Sequence, residues 1–285
     1  MINIRSGKES KMLLLEYINY IEEDSIYFIE NSNGNIKSIA KIKNLKWDSE
    51  IFNKKIGSME LCYGDLTDSI VTKIDEVAKV ENYDCLFTKV KTDLYSSMHI
   101  LEENRYNLMD CIITLKKNID DNISIDSSKD YDFSVLSETN LEEVLYIIDN
   151  LYKHGRFFQD PNLRNEDANT LYKKWIENEI RSKSVDVIGV TYKDKLIGFI
   201  SCIYRNRISD RELDGVISLV GINKDYQGLG IGKKLINYAL MNFNKKNIKN
   251  VFVGTQIDNL GALNFYISNG FRVESSINSF HKKVR

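Results

Sequence analysis

The stretch that most constrains the fold is Ser218 to Lys234, SLVGINKDYQGLGIGKK, an apolar run that stops at a polar turn and restarts as a glycine-rich helix start. Gln227, Gly230 and Gly232 stand at the spacing Q-x-x-G-x-G, which clears side chains from the turn and lets backbone N–H groups converge on an anion. From Ile231 onward, Leu235, Ile236, Ala239 and Leu240 recur at helical spacing. The positive end of that helix faces whatever the turn binds. Taken alone, the turn reads equally well as an ordinary strand-to-helix loop that needs glycine for positive φ. It is neither a Rossmann fingerprint nor a P-loop: the glycines are not at G-x-G-x-x-G, and Lys233 is followed by Lys234 where a P-loop requires Ser or Thr.

An anion site here must be local. Lys+Arg 39 against Asp+Glu 41 leaves a formal charge of -2, so no basic field recruits nucleic acid or an anionic membrane. No apolar run approaches the roughly 20 residues of a membrane span, and the N-terminal stretch lacks a signal-peptide cleavage site. A cytoplasmic protein is expected. Cys62, Cys85, Cys111 and Cys202 are far apart in apolar contexts, and His99, His154 and His281 show no ligand spacing, so buried thiols and no metal are expected. The 285 residues suffice for about two domains.

Taken in order, residues Glu9 to Glu23 carry Leu13, Leu14, Tyr17, Ile18 and Ile21 on one stripe, which predicts a helix. A hairpin follows around Asn33-Gly34-Asn35. Strands at GSMELCY, CLFTKV and NLMDCIITLKK alternate with helices over Thr67–Val80, capped by Thr67 or Asp68, and Leu94–Asn104. The polar segment NIDDNISIDSSKDYD marks a boundary, giving an N-terminal domain over 1–117, a linker over 118–130 and a second domain over 131–285. That domain is predicted to carry a helix over 140–152 capped by Asn140, the loop HGRFFQDPNLRNED and the helix ANTLYKKWIENEIRS. Then come a strand pair turning at Lys193-Asp194-Lys195, the strand Leu213–Ile222, the helix from Gly230, the strand VFVGTQ, a helix over Asn259–Ser268 and a last strand FRVESSINSF. The fold class is α/β (α+β), with mixed strands and helices around a sheet.

The chain also echoes itself. A shift of 165 residues lays Cys85–Leu115 on Asn250–Phe280, matching Asp93 with Asp258, Asn104 with Asn269 and Tyr106 with Phe271. Leu101 stands where the second copy has Tyr266, Arg105 where it has Gly270, and no Q-x-x-G-x-G turn precedes the first copy. If the halves are related, only the second kept a site.

LVGIN, Gln227 to Gly232, VFVGTQ and TQIDNLGALNFYISNGFRVES, in that order over residues 131–285, resemble the GNAT superfamily of acyl-CoA-dependent N-acyltransferases. WDSEIF, RFFQDPNLRNEDANTLYKKWIEN and TQIDNLGALNFY with VESS look like its dTDP-fucosamine acetyltransferase group, which acetylates the 4-amino group of a nucleotide-linked deoxysugar. The resemblance implies a catalytic mixed-sheet GNAT domain, a smaller N-terminal domain of partial GNAT character, acetyl-CoA as cosubstrate and a nucleotide amino sugar as acceptor; a homodimer is compatible with it. The first ~40 residues depart from that group as an added helix and hairpin. Other GNAT acceptors (an aminoglycoside, a polyamine, a protein N-terminus) and a non-catalytic acyl-CoA-binding scaffold are the alternatives.

The resemblance places the catalytic tyrosine at Tyr266, a phenol able to protonate the departing CoA sulfur; spacing alone reads it as a core aromatic beside Phe265. The N–H of Ile222 is expected on the thioester carbonyl, and the cofactor contacts are Ile222, Asn223, Gln227, Gly228, Leu229, Gly230, Ile231, Gly232, Lys233, Asn259 and Tyr266. Asn259 reads equally as a helix cap. Arg156 is the expected nucleotide-sugar contact through phosphate oxygens, against a salt bridge with Asp160 or Glu166. Phe157, with Phe158 and Tyr152, stacks on a base or closes the core. Glu212, Asp214 and His154 read as ordinary solvated groups, and the general base is unassigned.

Overall fold

A computed structural model describes residues 2–8, 14–119, 130–149, 151–207 and 212–285. Most of the 118–130 segment therefore lies outside the described residues. The elements in chain order are β1 (Ile2–Ser6), β2 (Ile26–Ser32), β3 (Asn35–Asn44), α1 (Lys46–Phe52), β4 (Ile56–Gly64), α2 (Asp68–Val80), β5 (Cys85–Lys91), α3 (Tyr95–Glu103) and β6 (Asn107–Asn118). They continue as β7 (Asp132–Val135), α4 (Leu141–Ile148), α5 (Arg156–Gln159), α6 (Asn165–Arg181), β8 (Val185–Tyr192), β9 (Lys195–Asn206) and β10 (Leu213–Ile222). The last are α7 (Ile231–Lys245), β11 (Asn250–Gln256), α8 (Leu260–Ser268) and β12 (Arg272–Lys283).

Local sequence sets many of these boundaries. Asn33 and Gly34 both sit at positive φ, 51 and 83, the requirement of the two-residue turn that joins β2 to β3. Lys193 and Asp194 do the same between β8 and β9 at φ 49 and 61. Thr67 caps α2, its Oγ1 accepting from the Ile70 N–H at 3.2 Å, and the helix buries Ile70, Val71, Ile74 and Ala78. Asn140 holds the N-cap position of α4, but its side chain makes no capping hydrogen bond to that helix. Ser137 caps a short turn over Glu138–Asn140, and the Asn140 carboxamide returns to the Ser137 N–H at 3.2 Å. α4 itself stops at Asp149, whose ψ of 119 leaves the helical region.

Of the helix expected over 9–23, residues 9–13 lie outside the described ones and Leu14 is helical; beyond it the chain turns, the N–H groups of Tyr17 and Ile18 reaching the Leu14 carbonyl at 3.0 and 2.9 Å. Its apolar stripe is nonetheless buried, with Leu14, Ile18 and Ile21 packed against Tyr27, Ile29 and Ile39. Over 15–23 that spacing is kept by burial without a helix.

The chain forms two compact units, and neither is a single block of sequence. Unit 1 is Met1–Cys111, Gly155–Asp167 and Ser276–Arg285, and unit 2 is Ile112–His154 and Ala168–Ser275. In unit 1 the strand order is β1-β2-β3-β4-β5 and then the C-terminal part of β12. Only β4 and β5 pair parallel; the other neighbours are antiparallel. In unit 2 the order is β7-β8-β9-β10-β11 and then the C-terminal part of β6, with β10 and β11 the parallel pair. The orientations thus repeat strand for strand. β1 and the β2–β3 hairpin hold in unit 1 the places that β7 and the β8–β9 hairpin hold in unit 2, so these N-terminal strands are integral to a sheet.

The 165-residue echo is equally regular: β5, α3 and β6 have the bounds of β11, α8 and β12 at that shift. Arg105 and Gly270 both take positive φ, 63 and 84. Leu101 and Tyr266 are both buried, as are Tyr106 and Phe271. Even the closing pairs correspond, Cys85 opposite Lys283 in unit 1 and Asn250 opposite Asn118 in unit 2. Each unit therefore closes its sheet with the last strand of the other copy.

Candidate functional site

In unit 2, β10 ends at Ile222 and the chain crosses a short turn, Lys224–Tyr226, before α7. Asn223 opens the turn, its Oδ1 accepting from the Asp225 N–H at 3.1 Å. Gly228 and Gly230 follow at φ 79 and 77, and a Cβ at either would meet nothing within 4 Å. Positive φ therefore demands these glycines, and the space beside them is open. Gly232 differs: a Cβ there would lie 2.9 Å from the Phe265 ring and 3.2 Å from Ile222 Cδ1, so it seats α7 closely against α8. No acidic side chain occupies the first turn of α7, leaving its first N–H groups and dipole to attract an anion. Ile222, Gln227, Gly228, Gly230, Ile231, Gly232 and Lys233 line one cavity of about 400 Å³. Tyr226, Phe265, Ser268 and Asn269 line it too and were not anticipated. Asn223, Leu229, Asn259 and Tyr266 are not on its wall. This shape fits a pyrophosphate, which needs converging N–H donors and no Cβ in the way.

The strand leading into the turn presents a further donor. Asn223 donates its N–H to the Ile197 carbonyl at 2.8 Å, and Ile222 lies opposite Gly198. Antiparallel neighbours alternate the edge their backbone groups face, so the N–H and carbonyl of Ile222 face away from β9. There β11 pairs with β10 only from Gly215 to Ile217, and a register shift between Ile217 and Val220 splays the strand end. Gln227 Nε2 donates to the Ile222 carbonyl at 3.1 Å. The Ile222 N–H is left without an acceptor among the described residues. Two residues earlier, the Tyr152 hydroxyl accepts from the Val220 N–H at 3.0 Å and donates to its carbonyl at 2.9 Å.

Tyr266 sits on α8, buried, edge-on to Phe265 and Phe271 at 5.3 and 5.8 Å. Burial pushes its phenol well above the usual tyrosine value, so it stays protonated and available as a donor. The Tyr152 phenol is also pushed up, by burial first and then by Tyr266. Asn259 caps α8, its Oδ1 accepting from the Ala262 N–H at 3.1 Å. The acid–base candidates are mostly engaged. His154 pairs with Asp258 at 3.1 Å, while Arg207 holds Glu212 at 3.2 Å and Asp214 at 2.7 Å; Asp214 is buried rather than solvated. Glu179 of α6 escaped the sequence reading. It is buried, and its Oε1 accepts from Ser218 of β10 at 2.6 Å and from Trp175 at 2.8 Å.

Unit 1 has no such turn. At the start of α2, the counterpart of α7, the Glu30 carboxylate of β2 accepts from Thr67 Oγ1 at 2.7 Å and Ser69 Oγ at 2.9 Å. The chain's own anion closes that helix end. Instead, unit 1 holds a cavity of about 700 Å³ lined by Arg156 and Lys89 among others. The Arg156 N–H donates to Asp110 at 2.9 Å, and its guanidinium lies 4.5 Å from the Phe157 ring. Asp160 pairs with His281 at 2.8 Å, and Arg164 with Asp167. Phe157 is buried, stacked on Phe52 at 5.3 Å; of the roles open to it, it closes the core. Among the described residues no cluster of three or more metal-binding side chains occurs.

Residues 148–271, which carry the turn, the splayed strand and Tyr266, match the acetyltransferase (GNAT) family. These residues form the GNAT acetyltransferase portion of the chain. The chain is an acyl-CoA-dependent N-acetyltransferase with acetyl-CoA as its cosubstrate. The spore coat polysaccharide biosynthesis protein SpsD of Bacillus subtilis is 18% identical to this acetyltransferase over 252 residues, 87% of this chain and 85% of the relative. A GCN5-related N-acetyltransferase from Sphaerobacter thermophilus superposes with a TM-score of 0.65 at 11% identity, over 97% of this chain and 86% of that one. A tandem GNAT protein from the clavulanic acid biosynthesis pathway gives 0.62 at 8% identity, over 100% and 99% of the two chains. At these identities the two structures speak for the fold alone.

Proposed function

We propose that this acetyltransferase transfers acetyl from acetyl-CoA to the amino group of a nucleotide-linked amino sugar. The observation that carries the reading is the unit 1 cavity, where Arg156 and Lys89 line about 700 Å³ of space, matching an acceptor that brings phosphate groups of its own. The likeness to a polysaccharide biosynthesis protein along most of the chain supports a sugar as the amine's carrier.

In this reading the backbone of Gln227, Gly228, Gly230, Ile231 and Gly232 cradles the pyrophosphate of the cosubstrate, with the Lys233 side chain beside it. The Ile222 N–H stabilises the oxygen that gains charge as the amine nitrogen attacks the thioester carbon. The carbon–sulfur bond then breaks, Tyr266 gives the sulfur its proton, and the ammonium proton passes to water. Asn259 keeps α8, and with it Tyr266, in place.

The test is to supply acetyl-CoA with a panel of dTDP- and UDP-linked amino sugars alongside a polyamine and an aminoglycoside. Turnover confined to nucleotide sugars is expected. Turnover confined to the free amines overturns the acceptor assignment.

A further inference from the structure

One phenol of unit 2 stands on the splayed part of β10 without a role in the chemistry set out above. β11 pairs with β10 only as far as Ile217, and β10 bulges just beyond, with Ser218 and Leu219 standing where β9 has Ser201 alone. The Tyr152 hydroxyl takes the place of the missing ladder. It accepts from the Val220 N–H at 3.0 Å and donates to the Val220 carbonyl at 2.9 Å. Val220 lies opposite Ile200 and Ile222 opposite Gly198, and residues two apart in a strand turn their backbone groups to the same edge. The tyrosine oxygen and the Ile222 N–H therefore stand in line on the edge that faces away from β9.

The Tyr152 ring is held. It stacks on Tyr172 at 4.6 Å with an interplanar angle of 10°, and Tyr172 stacks on Trp175 at 6.0 Å and 10°. Trp175 Nε1 donates to Glu179 Oε1 at 2.8 Å, and the same oxygen accepts from Ser218 Oγ at 2.6 Å. The contacts thus leave β10 at Ser218, run through α6 and return to β10 at Val220. This closed circuit fixes the bulge from both sides, and with it the position of the hydroxyl. Burial, and after it the Tyr266 phenol, hold the Tyr152 phenol far above the usual tyrosine value, so it keeps its proton.

A cosubstrate laid in the turn runs toward this oxygen. Gln227 to Gly232 follow Ile222 in the chain, so a CoA whose pyrophosphate sits there brings its sulfur in from that side. A thioester carbonyl on the Ile222 N–H then points its acyl carbons back along β10 to Val220. The two positions are roughly 7 Å apart along the strand. A carbon needs ~3.5–4.0 Å from the Tyr152 oxygen, which leaves about 3 Å past the carbonyl oxygen, enough for one carbon and short for two.

We propose that Tyr152 is the gauge of the acyl group: its hydroxyl closes the slot along β10 one carbon beyond the thioester and restricts transfer to acetyl. The assignment rests on the seating of CoA in the reading above, at the turn and the Ile222 N–H, and adds to it a residue that selects the donor.

Calorimetric titration of the full chain with CoA, acetyl-CoA and propionyl-CoA tests this without reference to the acceptor. The parent is expected to bind propionyl-CoA about ten-fold or more weakly than acetyl-CoA, the effect of one ill-fitting methylene. Tyr152→Phe keeps the stacked ring and removes the oxygen, and should bring the two acyl-CoAs within about three-fold of one another, whatever it does to free CoA. A purely structural role weakens all three ligands together; a propionyl-to-acetyl ratio unchanged from the parent therefore refutes the gauge and leaves the seating of CoA standing. Should the variant fail to fold, the parent decides: propionyl-CoA within about two-fold of acetyl-CoA overturns the proposal, and the ten-fold gap upholds it. Failure of free CoA to bind the parent instead overturns the seating of the cosubstrate in the turn, and the gauge falls with it.

Discussion

Three glycines of the turn before α7 make different demands, and substituting each by alanine separates them. At Gly228 and Gly230 a methyl group meets open space, and the backbone at φ 79 and 77 is the whole difficulty. Holding an L-residue there costs about 1–2 kcal/mol per site. The turn can escape that cost by relaxing φ, but its N–H groups then no longer converge. Gly228→Ala and Gly230→Ala are therefore expected to lower Tm by only a few degrees, about 2–4 °C per kcal/mol for a chain of this order of size, yet to weaken CoA binding about ten-fold or more. At Gly232 the methyl group arrives 2.9 Å from the Phe265 ring, well inside the ~3.5–4.0 Å of a comfortable carbon contact. Alanine gains about 1 kcal/mol of helix propensity over glycine, against about 1–3 kcal/mol of overpacking. The displaced ring lies 5.3 Å from Tyr266, so Gly232→Ala should lower kcat more than it weakens CoA. Titration with CoA, thermal melts and initial rates give all three quantities. CoA affinity within two-fold of the parent in both Gly228→Ala and Gly230→Ala would refute the claim that this turn cradles the pyrophosphate.

Tyr266→Phe keeps the ring and removes the donor, and is expected to lower kcat by about 10²–10⁴-fold with CoA affinity unchanged; a loss under about five-fold rules out the acid role. Arg105 holds φ 63 with its side chain exposed, so Arg105→Gly should relieve about 1–2 kcal/mol of left-handed strain against about 0.5–1 kcal/mol of added chain entropy, a small rise in Tm; a fall in Tm contradicts this. His281 titrates at about 4 in the folded chain against 6.5 as its ordinary value. Its depressed value means that the unfolded chain takes up the proton first as pH falls, so the stability it contributes is whole above 6.5 and is lost down through about 4. The loss is on the order of 3 kcal/mol, measurable by urea melts at neutral and acid pH, and His281→Asn should flatten that difference. An unaltered slope in the variant places the acid sensitivity elsewhere.

Local signals in the sequence were reliable where the physics is local. The Asn33-Gly34 turn, the Thr67 cap and the glycine turn each depend on a few consecutive residues, and each is found in place. The 165-residue echo was legible because copied elements keep their lengths. What depends on distant partners was not legible. His281 and Asp160 are 121 positions apart, and no spacing rule links them. Glu179 reads as one more acid on an amphipathic helix until Ser218 and Trp175 converge on it. Over 15–23 the stripe misled because a series of turns can bury every third or fourth residue as a helix does. Residues 1–40 read as an addition because their relation to β7, β8 and β9 lies in pairing orientation rather than in residue identity.

The crossed ownership of the closing strands has a consequence for how the chain comes to be. Unit 1 draws its last strand from Ser276–Arg285, a segment that a ribosome delivers only after all of unit 2. Until then β5 presents a bare edge, and His281 has not reached Asp160. Unit 1, although its synthesis starts first, must wait until Ser276–Arg285 has been translated, so nascent chains stalled or cleaved shortly before Ser276 carry an open sheet edge rather than a finished unit.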